Sequence, residues 1–159
     1  VAAAYFQPGV DGDKLARIDN PEVDAEVLEI KARAIAGRQT QGSFAVSDVG
    51  TVTNADAIPQ AADELIRLEG ITAVVVIGER AETIHLSGRS RDDRVHMGRA
   101  LEEATGDAPT ASAGGHARMG GGQIGPQTEV TDGGETDSEL AVSRDTLVKR
   151  IFASLSGDV

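Results

Sequence analysis

The fold class follows from two adjoining segments, Ala73-Val74-Val75-Val76-Ile77 and Thr83-Ile84-His85-Leu86-Ser87. The first segment is continuously apolar and rich in β-branched side chains, which is typical of a strand buried on both faces. The second segment alternates between apolar and polar residues, as a strand with one buried face does. Because only the short turn 78–82 separates them, we expect the two strands to pair as a hairpin.

Four amphipathic helices and one further strand are predicted around this hairpin. The helices cover about 21–37, 59–68, 94–104 and 147–155, and the strand covers 43–46. Asn20 suits the cap of the first helix and Gly37 suits its end, while Val23 is expected to face inward. The order α, β, α, β, β, α, loop, α assigns the chain to the α/β class, as a mixed β-sheet with packed helices.

Composition narrows the chemistry that the chain can support. Its 159 residues suffice for one core, and it has no cysteine, which excludes disulfides and thiolate metal sites. The formal net charge is -11, and the lysines are Lys14, Lys31 and Lys149. So acidic a surface is typical of proteins from extreme halophiles, since high salt screens the repulsion between carboxylates. An ordinary acidic cytoplasmic protein is the alternative.

A chain this acidic should bind long nucleic acids poorly, so a phosphate ligand would need a few well-placed arginines and backbone amides. No apolar run approaches the length of a membrane span, and a cytoplasmic protein is expected. The chain opens in sequence that reads like the middle of a longer protein, which predicts a fragment.

The segment Ser87-Gly88-Arg89-Ser90-Arg91 is the first candidate site. Guanidinium groups pair bidentately with phosphate oxygens, and alternation along an extended chain would place Arg89 and Arg91 on one side. The alternative is a solvated turn whose arginines pair with neighbouring acids such as Asp92 or Glu79.

The second candidate is Gly114-Gly115-His116, where glycines let the backbone approach a ligand and the imidazole can donate to a phosphate. A helix is expected to begin just after His116 and to add anion affinity at its N-terminus, although glycines 120–122 would weaken it. The alternative is a flexible loop with a chance histidine. His85 is interpreted as a structural strand residue, and His96 as part of a solvated helix face.

Together the two motifs resemble the DHH-associated C-terminal domain of the DHH phosphoesterase superfamily. That group includes RecJ-like exonucleases, oligoribonucleases that also dephosphorylate pAp, and relatives of exopolyphosphatases. The family pattern is a strand ending in serine-arginine-serine, then a helix, then a glycine-glycine-glycine-histidine loop. Here Ala113 stands where the first of those glycines is usual. The resemblance covers about 41–124.

The resemblance implies a division into a connector over 1–37, from a preceding DHH domain, and a DHH-associated substrate-binding domain over 38–159. It implies that the phosphate of a short oligonucleotide, pAp or another nucleotide is held by Arg89, Ser90, Arg91, Gly114, Gly115 and His116. No cofactor is expected in this chain, and manganese or magnesium is expected in the missing DHH domain. Two alternatives stay open: a nucleic-acid-binding module, and a regulatory or oligomerisation domain that binds a nucleotide. A homodimer is also left open.

Overall fold

The computed structural model describes residues 22–126 and 143–157. Within these ranges the chain forms four helices and six strands. The elements are α1 (Ala25–Ala36), β1 (Gln39–Gln41), β2 (Phe44–Thr51), α2 (Ala57–Leu65), β3 (Ala73–Arg80), β4 (Thr83–Ser90), α3 (Met97–Thr105), β5 (Ala111–Gly115), β6 (Met119–Ile124) and α4 (Arg144–Ser156).

The six strands form one mixed sheet in the order β1-β2-β3-β4-β6-β5. β2 and β3 are parallel and are joined through α2, whereas every other neighbouring pair is antiparallel. β3 pairs with β4 from Ala73 opposite Ser90 to Arg80 opposite Thr83, which confirms the predicted hairpin. The mixed-sheet α/β fold is therefore the one that the sequence predicted.

β3 lies at the centre because both of its faces are apolar, as its sequence predicted. Val74 and Val76 pack with α1 and α2 on one face, while Val75 and Ile77 pack with α3 and α4 on the other. These four side chains have no exposed surface. A strand that is buried on both sides in this way fixes helices on both faces of the sheet.

One part of the sheet is left uncovered on the side of α1 and α2. Those helices lie over β2, β3 and β4, and their side of β5 and β6 is exposed. We call this surface the open face. It consists of Ser112, Met119, Gly121 and Gln123, and His85 and Arg89 of β4 lie along its border. Side-chain alternation and strand register place all six on that side of the sheet. Met119 on this surface is 51% exposed, so neither α1 nor α2 covers it.

The predicted boundary of the first helix is wrong. α1 begins at Ala25 and is capped by Asp24, whose carboxylate accepts a hydrogen bond from the Glu26 backbone N–H at 3.0 Å. Val23 precedes the helix and is 50% exposed, so it does not face the core. Gly37 ends the helix as predicted, and Asn20 and Pro21 lie outside the described residues.

The helix expected after His116 is also wrong, because β5 and β6 form an antiparallel hairpin there. Glycine and alanine have low strand propensity, so the local sequence gave no strand signal. Pairing with β4 on the other side of β6 overrides that weak preference. The short edge strand β1 was not predicted either, and the surface loop expected over 127–137 lies outside the described residues.

None of the helices within 22–126 and 143–157 combines the length and the apolar character that crossing a membrane requires.

Candidate functional site

Arg89 lies along the border of the open face with its guanidinium held in a fixed orientation. Its Nε donates to the Asp63 carboxylate of α2 at 2.7 Å. Its Nη1 donates to Ser87 Oγ at 3.2 Å and to the Gly88 carbonyl at 2.9 Å. The arginine side chain is only 12% exposed. Side chain and backbone partners therefore hold the guanidinium before any ligand arrives.

Asp63 was not identified from the sequence as a partner of Arg89. The sequence suggests Asp92, Asp93 and Glu79 as possible partners, and these are nearer to Arg89 along the chain. Asp63 lies 26 positions before Arg89, on a helix over the adjacent strands. No local pattern reports such a pair, because it depends on how α2 crosses the sheet.

The two sequence motifs meet at one end of β4. The Ser90 backbone N–H donates to the Arg118 carbonyl at 2.9 Å, and Arg89 stands opposite Met119 in the β4–β6 register. Residues 116–118 form the tip of the β5–β6 hairpin, closed by a hydrogen bond from the His116 N–H to the Met119 carbonyl at 2.7 Å. The glycine-histidine segment therefore adjoins the strand end that carries Arg89. The imidazole of His116 is exposed there.

The start of α3 fixes the position of this hairpin and is itself unavailable to an anion. The Met97 N–H donates to the Ala117 carbonyl at 2.9 Å, and the Gly98 N–H donates to the His116 carbonyl at 3.0 Å. The Arg99 N–H donates to His96 Nδ1 at 3.2 Å. Because these first backbone donors already have partners, the start of α3 offers no free N–H groups to an anion. The helix N-terminus expected just after His116 is absent because strand β6 follows there.

Gly115 allows the hairpin to approach α3 this closely. Its φ is +145°, and a Cβ at this position would lie 2.4 Å from the Met119 carbonyl oxygen. Gly98 of α3 lies against the same backbone, where a Cβ would be 2.5 Å from the Gly115 oxygen. Side chains at either position would push the hairpin and its histidine away from the helix.

Ser90 and Arg91 are placed apart from the guanidinium of Arg89. The Ser90 hydroxyl is buried on the α3 side, where it donates to the Asp92 carbonyl at 3.2 Å and accepts from the Asp92 N–H at 3.1 Å. The Arg91 guanidinium donates to the Ile71 carbonyl before β3. Both side chains thus have backbone partners that organise the 90–95 loop.

Asp92 anchors that loop through Arg94 and Thr72. Side-chain and backbone hydrogen bonds from Arg94 hold the pKa of Asp92 well below its usual range, and a hydrogen bond from the Thr72 hydroxyl adds to this. The Arg94 Nη2 lies 2.8 Å from the Asp92 carboxylate, whose side chain is 7% exposed. The carboxylate is therefore ionised whenever the protein is folded near neutral pH.

A groove of about 600 Å³ lies on the opposite face of the sheet, between the β1–β2 turn, α3 and α4. Arg99 and His96 line it, together with Phe44 and Leu155 of the core on that side. The sheet lies between this groove and the side chain of Arg89, so the groove is not part of the same site.

A metal ion in the described part of the chain would need to be bound by several side chains at once. There, no group of three or more histidine, aspartate and glutamate side chains is arranged to hold a metal ion. The family resemblance assigns manganese or magnesium to an upstream DHH domain, and no chemical step is assigned to a metal held by this chain.

Fold and geometry together define an α/β domain with an oriented arginine beside an open sheet face, an arrangement suited to binding anions. Residues 41–132 match the DHHA1 domain family, and the chain belongs to that family. The resemblance to DHH-associated domains drawn from the two motifs is thereby confirmed.

Known proteins similar to the chain include MJ1633, an uncharacterized protein of Methanocaldococcus jannaschii. It is 42% identical over 106 residues, which are 66% of this chain and 22% of that protein. The chain thus spans about a fifth of the length of this relative.

Two solved structures share the fold. One is an exopolyphosphatase-related protein from Bacteroides fragilis, with a TM-score of 0.61 at 15% identity over 94% of this chain and 39% of that chain. The other is the C-Ala domain of alanyl-tRNA synthetase from Aquifex aeolicus, with a TM-score of 0.53 at 18% identity over 76% of this chain and 98% of that domain. At these identities the likeness concerns the fold alone.

Proposed function

We propose that this chain is the substrate-binding domain of a metal-dependent DHH phosphoesterase, of RecJ-like or pAp-phosphatase-like type, that hydrolyses short oligonucleotides, pAp or related phosphoesters. The observation that carries the proposal is the position of Arg89, held by Asp63 at the border of the open face beside the hairpin with His116. Membership of the DHHA1 family supports it.

Arg89 would provide the main contact to a substrate phosphate. Among the described residues its Nη2 has no hydrogen-bond partner, whereas Nε and Nη1 are held by the protein. A guanidinium fixed in this way loses little conformational entropy when it pairs with a phosphate oxygen. In an acidic protein such a local cation matters more than bulk charge, which repels the ligand.

His116 would contribute from the tip of the hairpin. Its exposed imidazole can donate a hydrogen bond to phosphate, and a backbone contact from Gly114 or Gly115 to the ligand stays a prediction. Within the described structure, Ser90 and Arg91 support the loop next to this site, and a direct contact from either to the ligand stays a prediction.

The hydrolytic chemistry would belong to an upstream DHH domain. We propose that this domain precedes the chain, that residues 1–37 connect to it, that 38–159 form the binding domain, and that the upstream domain holds manganese or magnesium. The chain covers only 22% of its relative MJ1633, which leaves room for such a domain in a longer protein. We further propose that the protein acts in the cytoplasm, and that its net charge of -11 suits the high salt of a haloarchaeon.

A binding titration tests the proposed site. Calorimetry with pAp should show binding to the chain, and the double variant Arg89→Ala, His116→Ala should lose at least about tenfold in affinity, because a charge-assisted and a neutral hydrogen bond are removed. Arg99→Ala is the matched control, since it removes an exposed arginine from the other face of the sheet. Unchanged pAp binding by the double variant would show that the assignment of the site is wrong.

The same titration distinguishes the alternatives. A domain that grips short substrates should bind pAp and a dinucleotide at least as well as a longer single strand. A nucleic-acid-binding module should instead gain affinity with length, as each added phosphate finds a further contact. Increasing affinity with strand length would favour that alternative over the proposal.

A further inference from the structure

A polar trough lies on the open face, on the same side of the sheet as Arg89. It has a volume of about 250 Å³ and runs across three strands, with His85 of β4, Gln123 of β6 and Ser112 of β5 along it. These three residues stand side by side in the sheet, because His85 pairs with Gln123 and Gln123 pairs with Ser112. Their side chains make no hydrogen bonds within the described parts of the chain.

The trough lies along the sheet from the proposed phosphate site, and Arg89 and His116 do not line it. His85 lies four residues before Arg89 on the same strand and the same face, which is about 13 Å along the strand. Gly121 lies between them in register, opposite Ser87, and Gly114 pairs with Gly121. His116 follows Gly114 by two residues, so the end of the trough at Gly114 and Gly121 is the one nearer the hairpin tip and Arg89.

The chemistry of the trough differs from that of the arginine site. Neither arginine nor lysine is among the described residues that line it. A second phosphate would therefore find no strong cation there. A hydroxyl, a carboxamide and an imidazole instead match the hydroxyls of a sugar and the donor and acceptor edge of a base.

We propose that this trough binds the nucleoside adjoining the phosphate held by Arg89, with Ser112, Gln123 and His85 as its polar contacts. The inference rests on the proposed function and makes it more specific. It identifies the preferred ligand as a nucleotide of at least one nucleoside and one phosphate, and it disfavours inorganic polyphosphate.

Gly121 offers a way to close the trough without disturbing the fold. A Cβ at this position would meet only the Leu86 carbonyl oxygen, at 3.6 Å, which is an ordinary contact. At the neighbouring Gly122, by contrast, a Cβ would lie 2.8 Å from the Ala113 Cβ. Packing therefore demands glycine at 122 and not at 121, and Gly121→Val should fill the trough while the sheet is kept.

Calorimetric titration with two probes, the dinucleotide pApA and inorganic pyrophosphate, tests the inference. Gly121→Val, and separately Ser112→Ala with Gln123→Ala, should weaken pApA binding by about tenfold and leave pyrophosphate binding within about twofold. Gln39→Val on the distant β1 is the matched control for a new valine on an exposed strand. Melting curves of all variants check that the fold is kept.

The outcomes separate this inference from the proposed function. If Arg89→Ala weakens both probes while Gly121→Val and the Ser112, Gln123 variant bind pApA like the wild type, the nucleoside subsite is wrong and the phosphate site stands. Equal losses of pApA and pyrophosphate in Gly121→Val would also overturn the subsite. A wild-type chain that binds neither probe would overturn both proposals.

Discussion

Among the described residues, Asp92 has the most strongly lowered pKa, and hydrogen bonds from Arg94 are the main cause. Its carboxylate accepts from the Arg94 guanidinium at 2.8 and 3.0 Å, from the Arg94 N–H at 2.9 Å and from the Thr72 hydroxyl at 3.2 Å. The pKa of Asp92 is consequently lower in the folded protein than in the unfolded chain. A carboxylate of this kind stabilises the fold above its unfolded pKa of about 3.9, and that contribution is lost as the pH falls toward the folded value.

Asp92→Asn should therefore reduce the free energy of unfolding at pH 7 by about 1 kcal/mol, because two charge-assisted hydrogen bonds are weakened. The same variant should show a smaller loss of stability than the wild type when the pH is lowered from 7 toward 3. Urea unfolding at several pH values measures both effects. Asp93→Asn is the matched control, since Asp93 is 91% exposed and pairs only with Arg118. Identical pH profiles for Asp92→Asn and the wild type would contradict the role of this carboxylate.

The turn between β3 and β4 is a strained element. Arg80 and Thr83 close the hairpin, and the two residues between them, Ala81 and Glu82, have φ values of 50° and 65°. Two positive φ values in a two-residue loop are the mark of a type I′ turn, which favours asparagine followed by glycine. The native residues occupy this conformation at a cost, because their Cβ atoms crowd the backbone.

Ala81→Asn with Glu82→Gly should therefore raise the free energy of unfolding by about 1 kcal/mol, since both new residues adopt the turn with less strain. Thermal denaturation measures the change. Glu29→Gly, in the exposed face of α1, provides a control of opposite sign and should lower stability by about 1 kcal/mol. A turn variant that melts below the wild type would show that the native residues make contacts that outweigh the strain.

Helices and strands whose own residues show an apolar period could be predicted from the sequence. Strands that form only because they pair with a strand far away in the chain could not. The apolar run of β3 and the helical spacing of α2 and α4 were identified correctly, because burial on one or two faces leaves a periodic pattern. β5 and β6 have no such pattern, since alanine, serine and glycine supply most of their residues. β6 pairs with β4, whose residues lie 30 to 40 positions earlier in the chain, and β5 pairs in turn with β6.

The candidate site shows the same division. The motif Gly114-Gly115-His116 and the segment around Arg89 were recognised in the sequence, and the structure brings them to one end of β4. The orientation of Arg89 by Asp63 and the trough beside it arise only from the packing of α2 and the sheet register. Residue types can therefore suggest phosphate binding, whereas the geometry that orients a ligand comes from tertiary structure.

The whole molecule carries a net charge of -11, and repulsion among its carboxylates opposes the folded state. Raising KCl from 0.1 to 2 M shortens the screening length from about 10 Å to below about 3 Å. We expect the melting temperature to rise by several degrees, because the loss of exposed ion pairs is small by comparison. Differential scanning calorimetry in KCl, with sucrose as a non-ionic control, measures this. A melting temperature that falls with KCl would contradict the proposed adaptation to salt.

Helix α4 limits how far this domain can be shortened when it is transferred to another protein. Arg144 bridges α4 to Asp48 of β2 at 2.8 Å and to Glu79 of β3 at 2.6 Å, and Ile151 and Phe152 cover the sheet beside α3. Arg144, Ile151 and Phe152 lie beyond the span 41–132 that matches the family, as does α1 at the other end. The matched span is thus smaller than the unit that buries both faces of β3, and grafting that span alone into another protein would transfer its two motifs without a shielded interior.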